Sequence, residues 1–282
     1  MSQPAILAGL IGRGIQLSRT PALHEHEGDA QALRYLYRLI DADQLQLDDS
    51  ALAQLLDAAQ RTGFTGLNIT YPFKQAIVPL LDELSDEARG IGAVNTVVLK
   101  DGKRVGHNTD CLGFAEGLRR GLPDAPRRQV VQLGAGGAGS AVAHALLGEG
   151  VERLLLFEVD TARAQALVDN LNQRFGVGRA VLGSDLEAEL AVADGLVNTT
   201  PVGMAKVPGT PLPVEWLHER LWVAEIIYFP LQTELLRAAR ALGCRTLDGS
   251  HMAVFQAVKA FELFSGQQAD ARRMQAHFAS FT

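Results

Sequence analysis

Apolar and polar positions in the first third of the chain change period several times. Ala5 to Ile11 is a continuous apolar run ending in glycine, the pattern of a buried strand. Leu23 to Gly28 and Gln31 to Tyr37 mix helical and strand spacing. In DSALAQLLDAAQR, residues 49 to 61, the apolar Leu52, Leu55, Leu56 and Ala59 share a helical face, with Asp48, Asp49 or Ser50 as cap. GFTGLNIT then reads as a strand, Pro72 follows it, and Lys74 to Leu84 reads as a further helix. In VNTVVLKDGKRVGHNTD, Asp101-Gly102 sits between two apolar runs and predicts a β-hairpin, and Leu112 to Leu118 predicts a helix.

After the polar, proline-bearing patch GLPDAPRRQ, the best candidate for a domain boundary, the rhythm changes. VVQL, LLLF, GLVNTT and WVAEII are short apolar strands separated by helical segments, as in a parallel sheet with crossover helices, and the pattern closes near CRTLDG. A last helix, Met252 to Phe264, carries Val254, Phe255, Val258 and Phe261 on overlapping apolar faces. It has to pack on something, and we expect it to return to the first domain. No internal repeat or low-complexity segment is visible.

Length and charge narrow the function classes. A chain of 282 residues accommodates two modest domains or one large one. With 47% hydrophobic residues and a net charge of −6 it reads as an ordinary globular protein without the basic footprint of a nucleic-acid binder, Arg127-Arg128 being the densest basic spot in its neighbourhood. No charge precedes Arg13, so the basic start of a secretory signal is missing, and Ala5 to Ile11 is too short to span a bilayer. Cys111 and Cys244 are too few for a disulfide framework and fit a reducing cytoplasm.

One motif carries chemistry by its context. Gly134-Ala135-Gly136-Gly137-Ala138-Gly139 follows the strand VVQL and opens the helical segment SAVAHALLG, the strand-turn-helix setting that G-x-G-x-x-G needs. Glycines permit the tight turn and let backbone N–H groups approach a pyrophosphate, and the helix N-terminus adds roughly half a positive charge. About 20 residues on, Glu158 ends the strand RLLLFE, where an acid accepts hydrogen bonds from the adenosine ribose and repels a 2′-phosphate. That placement favours NAD over NADP. Asp160 competes for the role but also suits the cap of the helix TARAQALV, and Arg163 reads as a helix-face residue that could reach a 2′-phosphate.

Polar residues of the first half gather at the ends of apolar runs: Ser18-Arg19-Thr20-Pro21, Asn68 to Lys74, Asn95-Thr96 and Asn108-Thr109-Asp110. Hydroxyls and amides that both donate and accept suit a polyol substrate. Four capped turns would look the same. His24-Glu25-His26-Glu27 offers metal-ligand chemistry, but two histidines two apart diverge on a helix and no third ligand is evident, so no metal is expected. No G-x-S-x-G supports a hydrolase.

The stretches LSRTPALH, NITYPFKQ, GAVNTV, HNTDCLGF, GAGGAG, VNTTPVGM, YFPLQTELL and DGSHMAVFQA occur in order along essentially the whole chain. On them the sequence resembles the shikimate dehydrogenase family. LSRTPALHE and Glu158 resemble its NAD-preferring quinate/shikimate branch rather than the NADP branch, whose strand usually ends in Asn-Arg-Thr. The resemblance implies an α/β substrate-binding domain over residues 1–110, an inserted Rossmann-type domain over 111–247, and a helical return to the first domain over 248–282. It implies that Ser18 and Thr20 bind a carboxylate or nearby hydroxyls, and that Thr70, Asn95 and Gln256 hold ring hydroxyls. Lys74 and Asp110 would form the catalytic pair, Tyr228 would line the junction of the domains, and Asn198, Thr199 and Thr200 would flank the nicotinamide. Two departures stand out: Arg13-Gly14 replaces the family's Asn-Pro, and Ser18-x-Thr20 replaces Ser-x-Ser.

The expected activity is therefore NAD(P)-dependent interconversion of shikimate or quinate with the 3-dehydro ketone. Lys74 would move the hydroxyl proton and Asp110 would position it. The partner is a small cyclic polyol carboxylate, with no nucleic acid or membrane, on a cytoplasmic monomer or homodimer. Rival readings are a related NADP-dependent shikimate or aminoshikimate-type enzyme and a non-catalytic NAD-sensing protein on the same fold.

Overall fold

The computed structural model describes residues 5–281 and divides the chain into two compact units. One unit holds Met1–Thr109 with Gln256–Thr282, and the other holds Asp110–Phe255. None of the expected site residues lies outside residues 5–281.

The first unit contains β1 (Ala5–Gly12), α1 (Thr20–Ala30), β2 (Arg34–Asp41), α2 (Leu52–Arg61), β3 (Gly66–Ile69), β4 (Glu83–Leu84), α3 (Asp86–Ile91), β5 (Thr96–Lys100) and β6 (Lys103–His107). Its sheet has the order β2-β1-β3-β5-β6-β4. β1 runs parallel to both β2 and β3, while β5 is antiparallel to β3 and to β6. Asp48 caps the turn of 3-10 helix that leads into α2, accepting from Ser50 N–H at 2.8 Å. Asp101 and Gly102 both take positive φ, 51° and 78°, which is the tight hairpin geometry the sequence signal requires.

Lys74 to Leu84 is not the expected helix. Turns lead into a short 3-10 helix, Val78–Leu80, and then into β4. Pro79 lies in the middle of that stretch, has no N–H to give a helical ladder and disfavours the α-conformation of the residue before it.

α4 (Thr109–Gly121) leads into the second unit, which contains β7 (Gln129–Leu133), α5 (Gly137–Gly148), β8 (Arg153–Phe157), α6 (Thr161–Phe175), β9 (Ala180–Leu182), α7 (Leu186–Ala191), β10 (Gly195–Asn198), β11 (Trp222–Glu225), α8 (Glu234–Ala241) and β12 (Arg245–Leu247). Its strands are all parallel in the order β12-β11-β10-β7-β8-β9, the doubly wound arrangement of a Rossmann fold. The GLPDAPRRQ patch is not a boundary; it joins α4 to β7 inside this unit. Its core is Val131, Leu155, Leu196, Leu235 and their neighbours, all buried.

α9 (Gly249–Ser265) and α10 (Ala271–Ala279) follow. From Gln256 onward the chain belongs to the first unit again. Ala260, Phe261 and Phe264 of α9 pack with Ile6, Ala8, Leu10, Tyr35 and Tyr37 on one face of the first sheet. The opposite core gathers Leu52, Leu56, Leu67, Phe73 and Val97. A Cβ at Gly66 would lie 2.1 Å from the Phe264 ring, so close approach of α9 requires glycine in β3. Glu27 of α1 is wholly buried and meets Arg273 of α10 through two hydrogen bonds of 2.7 Å. Among the described residues, no helix is long and apolar enough to cross a membrane.

Candidate active site

In the first unit, strand register decides which polar clusters meet. β1 and β3 end together, with Ile11 paired to Ile69. Because β5 is antiparallel, its first residue Thr96 pairs with Asn68 near the end of β3, and with His107 at the end of β6. Asn68 to Lys74, Asn95-Thr96 and Asn108-Thr109 therefore arrive at one end of one sheet. Backbone hydrogen bonds stitch that end together: Arg13 N to Tyr71 O at 3.1 Å, Thr70 N to Ile11 O at 3.0 Å, Ile69 N to Asn95 O at 2.8 Å, and Val94 N to Lys74 O at 2.8 Å. The main chain at Lys74 is thereby fixed, and its neighbour Phe73 is buried.

Asn95 is buried, and its Oδ1 accepts from Thr109 N at 2.7 Å, Thr109 Oγ1 at 3.1 Å and Thr96 Oγ1 at 3.0 Å. It thus anchors the first residue of α4, and the next residue is the buried Asp110. Asn68 fills the space behind, donating to Thr96 Oγ1 at 2.9 Å and accepting from Tyr37 Oη at 2.7 Å.

Ser18 lies in the loop after β1 and Thr20 opens α1, both half-buried, with the Ser18 hydroxyl donating to Thr20 Oγ1 at 3.1 Å. Here the Arg13-Gly14 departure finds its physical reason. Arg13 donates to Asp43, Asp49 and the Leu47 carbonyl, and Gly14 adopts φ of 62°. The loop then wraps the buried carboxylate of Asp41, which accepts from Gly14 N at 3.0 Å, Ile15 N at 3.1 Å and Gln16 Nε2 at 2.9 Å. Burial pushes the Asp41 carboxyl up, but these hydrogen bonds together hold it below the ordinary carboxylate value. Sequence reasoning missed Asp41; an acid at the very end of an apolar strand was the available signal. Gln256 is the first residue of α9 assigned to this unit and is half-buried.

In the second unit the glycine turn lies where the strand order reverses, between β7 and β10. Gly134 takes φ of 95°, and a Cβ at Gly139 would lie 2.6 Å from the Gly134 carbonyl oxygen, so turn and helix meet too closely for a side chain. A Cβ at Gly136 would meet nothing within 4 Å, leaving that face of the turn open. Gly136 is the N-cap of α5 and supplies no side-chain cap, so the helix end can give its N–H groups to an anion. These features fit a dinucleotide pyrophosphate.

Three side chains hold the turn. Gln132 donates to the carbonyls of Gly134 and Gly139 at 2.9 and 2.8 Å, and Thr199 donates to those of Leu133 and Gly134 at 2.7 and 3.0 Å. Glu158 accepts from Ala135 N at 2.9 Å and Asp160 N at 3.1 Å. Burial pushes the Glu158 carboxyl up, while these N–H groups and the Arg163 charge outweigh it and keep the group below its ordinary value. Asp160 caps α6, accepting from Arg163 N at 3.0 Å, and Arg163 lies 3.2 Å from Asp160 and 3.8 Å from Glu158. Gln132 had no signal in the sequence, since it sits inside an apolar strand.

Thr199 is buried and Thr200 half-buried after β10, and Asn198 is wholly buried with its amide turned to its own loop and to Glu225. Tyr228 is 47% exposed beyond β11. His24 is buried beside Tyr35 and burial drives its pKa to about 3, while the exposed His26 stacks on His277 at 3.9 Å. The two histidines face opposite ways on α1, and no cluster of three or more His, Cys, Asp or Glu suited to a metal occurs among the described residues.

Known proteins share this organisation along the whole chain. Residues 10–97 match the family model described as the shikimate dehydrogenase substrate binding domain. The chain is 56% identical to shikimate dehydrogenase (NADP(+)) of Streptomyces avermitilis, covering 99% of this chain and 97% of the relative. It is 54% identical to quinate/shikimate dehydrogenase (NAD(+)) of Corynebacterium efficiens, covering 99% and 100%. The solved quinate dehydrogenase from Corynebacterium glutamicum in complex with NAD superposes with a TM-score of 0.93 at 51% identity, covering 98% and 99%. With relatives this similar spanning nearly its full length, the chain belongs to the shikimate dehydrogenase family.

Proposed function

We propose that this protein is a dehydrogenase that interconverts shikimate and/or quinate with the 3-dehydro ketone and prefers NAD to NADP. The observation that carries the cofactor choice is Glu158, an acceptor-only carboxylate bound to the N–H of Ala135 within the glycine turn. In that position it accepts from ribose hydroxyls and repels a 2′-phosphate. The solved quinate dehydrogenase with NAD supports the same choice.

NAD held at the glycine turn would supply the hydride acceptor for the carbinol carbon, which leaves the protein's own residues to take the hydroxyl proton. In our reading Lys74 moves that proton and Asp110 orients it. Ser18 and Thr20 hold the carboxylate end, while Thr70, Asn95 and Gln256 hold ring hydroxyls. Tyr228 borders the substrate, and Thr199 and Thr200 border the nicotinamide. Support comes from the shared end of the sheet, where Arg13, Tyr71, Lys74 and Asn95 are stitched by main-chain hydrogen bonds. We read the protein as a cytoplasmic monomer or homodimer without a nucleic-acid partner; its two cysteines are both buried.

A second reading, NADP use, is favoured by Arg163, whose guanidinium lies 3.8 Å from Glu158, and by the NADP(+) designation of the Streptomyces relative. Initial rates with shikimate and with quinate, each with NAD and with NADP, separate the two. We expect NAD to give the higher kcat/KM. A higher value with NADP would overturn the cofactor assignment, and NADH binding without turnover of either acid would make the protein a cofactor sensor.

A further inference from the structure

The second unit holds a buried carboxyl group that the reaction above does not use. Glu225, the last residue of β11, is 1% exposed. Every described hydrogen bond of its side chain is one it accepts. Asn198 Nδ2 donates to both oxygens at 3.2 and 3.0 Å, the N–H groups of Ile226 and Ile227 donate to Oε1 at 3.0 and 3.2 Å, and Thr233 Oγ1 lies 3.4 Å from Oε2.

Asn198 is fully engaged as a result. Its Nδ2 also donates to Val202 O at 3.0 Å, and its Oδ1 accepts from Thr200 N at 3.0 Å and Thr200 Oγ1 at 2.7 Å. One amide therefore shapes the whole 198–202 turn, and Glu225 determines which way that amide faces. Inside the turn, Thr199 ties it to the glycine turn through the carbonyls of Leu133 and Gly134.

We propose that Glu225 is a positioning residue for the cofactor, holding the 198–200 turn against the glycine turn through Asn198 and doing so as a carboxylate. The inference rests on assigning that turn to the nicotinamide side. An ionised carboxylate accepts from all of these donors at once, whereas a protonated acid keeps them only if the Thr233 hydroxyl turns to accept its hydrogen, and an amide places an N–H group where one oxygen now accepts. Burial pushes the Glu225 carboxyl up to about 7 despite the hydrogen bonds from Asn198, Ile227, Ile226 and Thr233. Among the described residues bonded to it from β10, from the segment after β11 and from the cap of α8, none titrates. The acceptor-only form is thus present above neutrality and is lost as pH falls through about 7.

The test is NADH binding by fluorescence titration from pH 6 to 9 on the intact chain. Wild type should bind progressively more tightly as pH rises through neutrality and then level off. Glu225→Gln should bind about tenfold more weakly at pH 8, the order expected for one lost hydrogen bond to a charged group, with a flat pH profile. Glu225→Asp should keep the pH dependence and recover part of the affinity. Glu225→Gln binding within twofold of wild type, or retaining the wild-type profile, would overturn the proposal. If Glu225→Gln does not fold, wild type and Asn198→Ser decide: a flat wild-type profile, or an unchanged profile in Asn198→Ser, overturns it equally. Thr200→Ala separates the premises, because unaltered NADH affinity there refutes the turn assignment itself, whereas weakened Thr200→Ala beside unaltered Glu225→Gln refutes only the role of Glu225.

Discussion

Replacing Glu158 with Ser perturbs cofactor choice through two effects of opposite sign. The shorter side chain cannot reach Ala135 N, now 2.9 Å from the carboxylate, nor supply a charged acceptor to a ribose. Losing a hydrogen bond to a charged group costs about 1.5–3 kcal/mol, so NAD affinity should fall about 10- to 100-fold. A 2′-phosphate, in contrast, escapes a carboxylate. At a separation of about 5 Å and an effective dielectric near ~20, each unit of phosphate charge is repelled by about 3 kcal/mol, on the order of 100-fold in binding. Arg163 would keep Asp160 at 3.2 Å and lose its second acid at 3.8 Å, which frees part of its charge for the phosphate. The assay is kcat/KM for NAD and NADP at saturating substrate, followed by reduced-cofactor absorbance. The NADP-to-NAD ratio should rise by at least about 100-fold. If NAD activity falls while NADP gains nothing, Glu158 acts only by shaping the glycine turn and the electrostatic account is refuted.

Lys74→Met, which keeps most of the stem's volume and removes the transferable proton, should lower kcat about 10²–10⁴-fold while NADH affinity by fluorescence stays near wild type; near-normal turnover would move the acid–base role elsewhere. Asp41→Asn should raise the substrate KM about tenfold without altering the NAD KM, since one of the N–H groups now bonded to the carboxylate would face an amide donor. Gly66→Ala should lower thermal stability by about 1–3 kcal/mol because its methyl group would sit 2.1 Å from Phe264, and an unchanged melting temperature would refute the packing of α9 on β3. Arg273→Met should cost about 2–3 kcal/mol by denaturant unfolding, below the range for a wholly buried pair because Arg273 is 33% exposed. Burial pushes the Glu27 carboxyl up, but Arg273, Asp270 N–H and Gln31 bring it below its ordinary 4.5. A lowered carboxyl stabilises the fold above the unfolded-state value and loses that stability as pH falls through the folded-state value, so the wild-type acid limb should be steeper than that of Arg273→Met.

Much of the molecule is determined by local pattern alone. Asp101-Gly102 sets its hairpin because two consecutive positive φ angles are tolerable only to such residues, and VVQL, LLLF, GLVNTT and WVAEII are long enough apolar runs to be strands whatever surrounds them. The glycine turn and Glu158 were readable because their spacing lies within one strand-turn-helix-strand unit. The Lys74 to Leu84 stretch misled because its apolar spacing imitates a helix while Pro79 and pairing of β4 with β6 override it. The stretch GLPDAPRRQ misled because a polar proline-bearing link looks the same between elements of one unit as between two. The strands β9 and β12, three residues each, exist only because longer neighbours offer them a ladder. What no local pattern could settle is which polar groups meet. Asn95 reaches Thr109 through strand register, Asp41 gathers the loop after β1, Gln132 holds the glycine turn from inside a strand, and Glu225 meets Asn198 across 27 residues. Each is a buried hydrogen-bonding group whose partner is fixed by sheet order rather than by sequence distance, so local pattern marked where polar groups cluster and tertiary structure decided how they are braced.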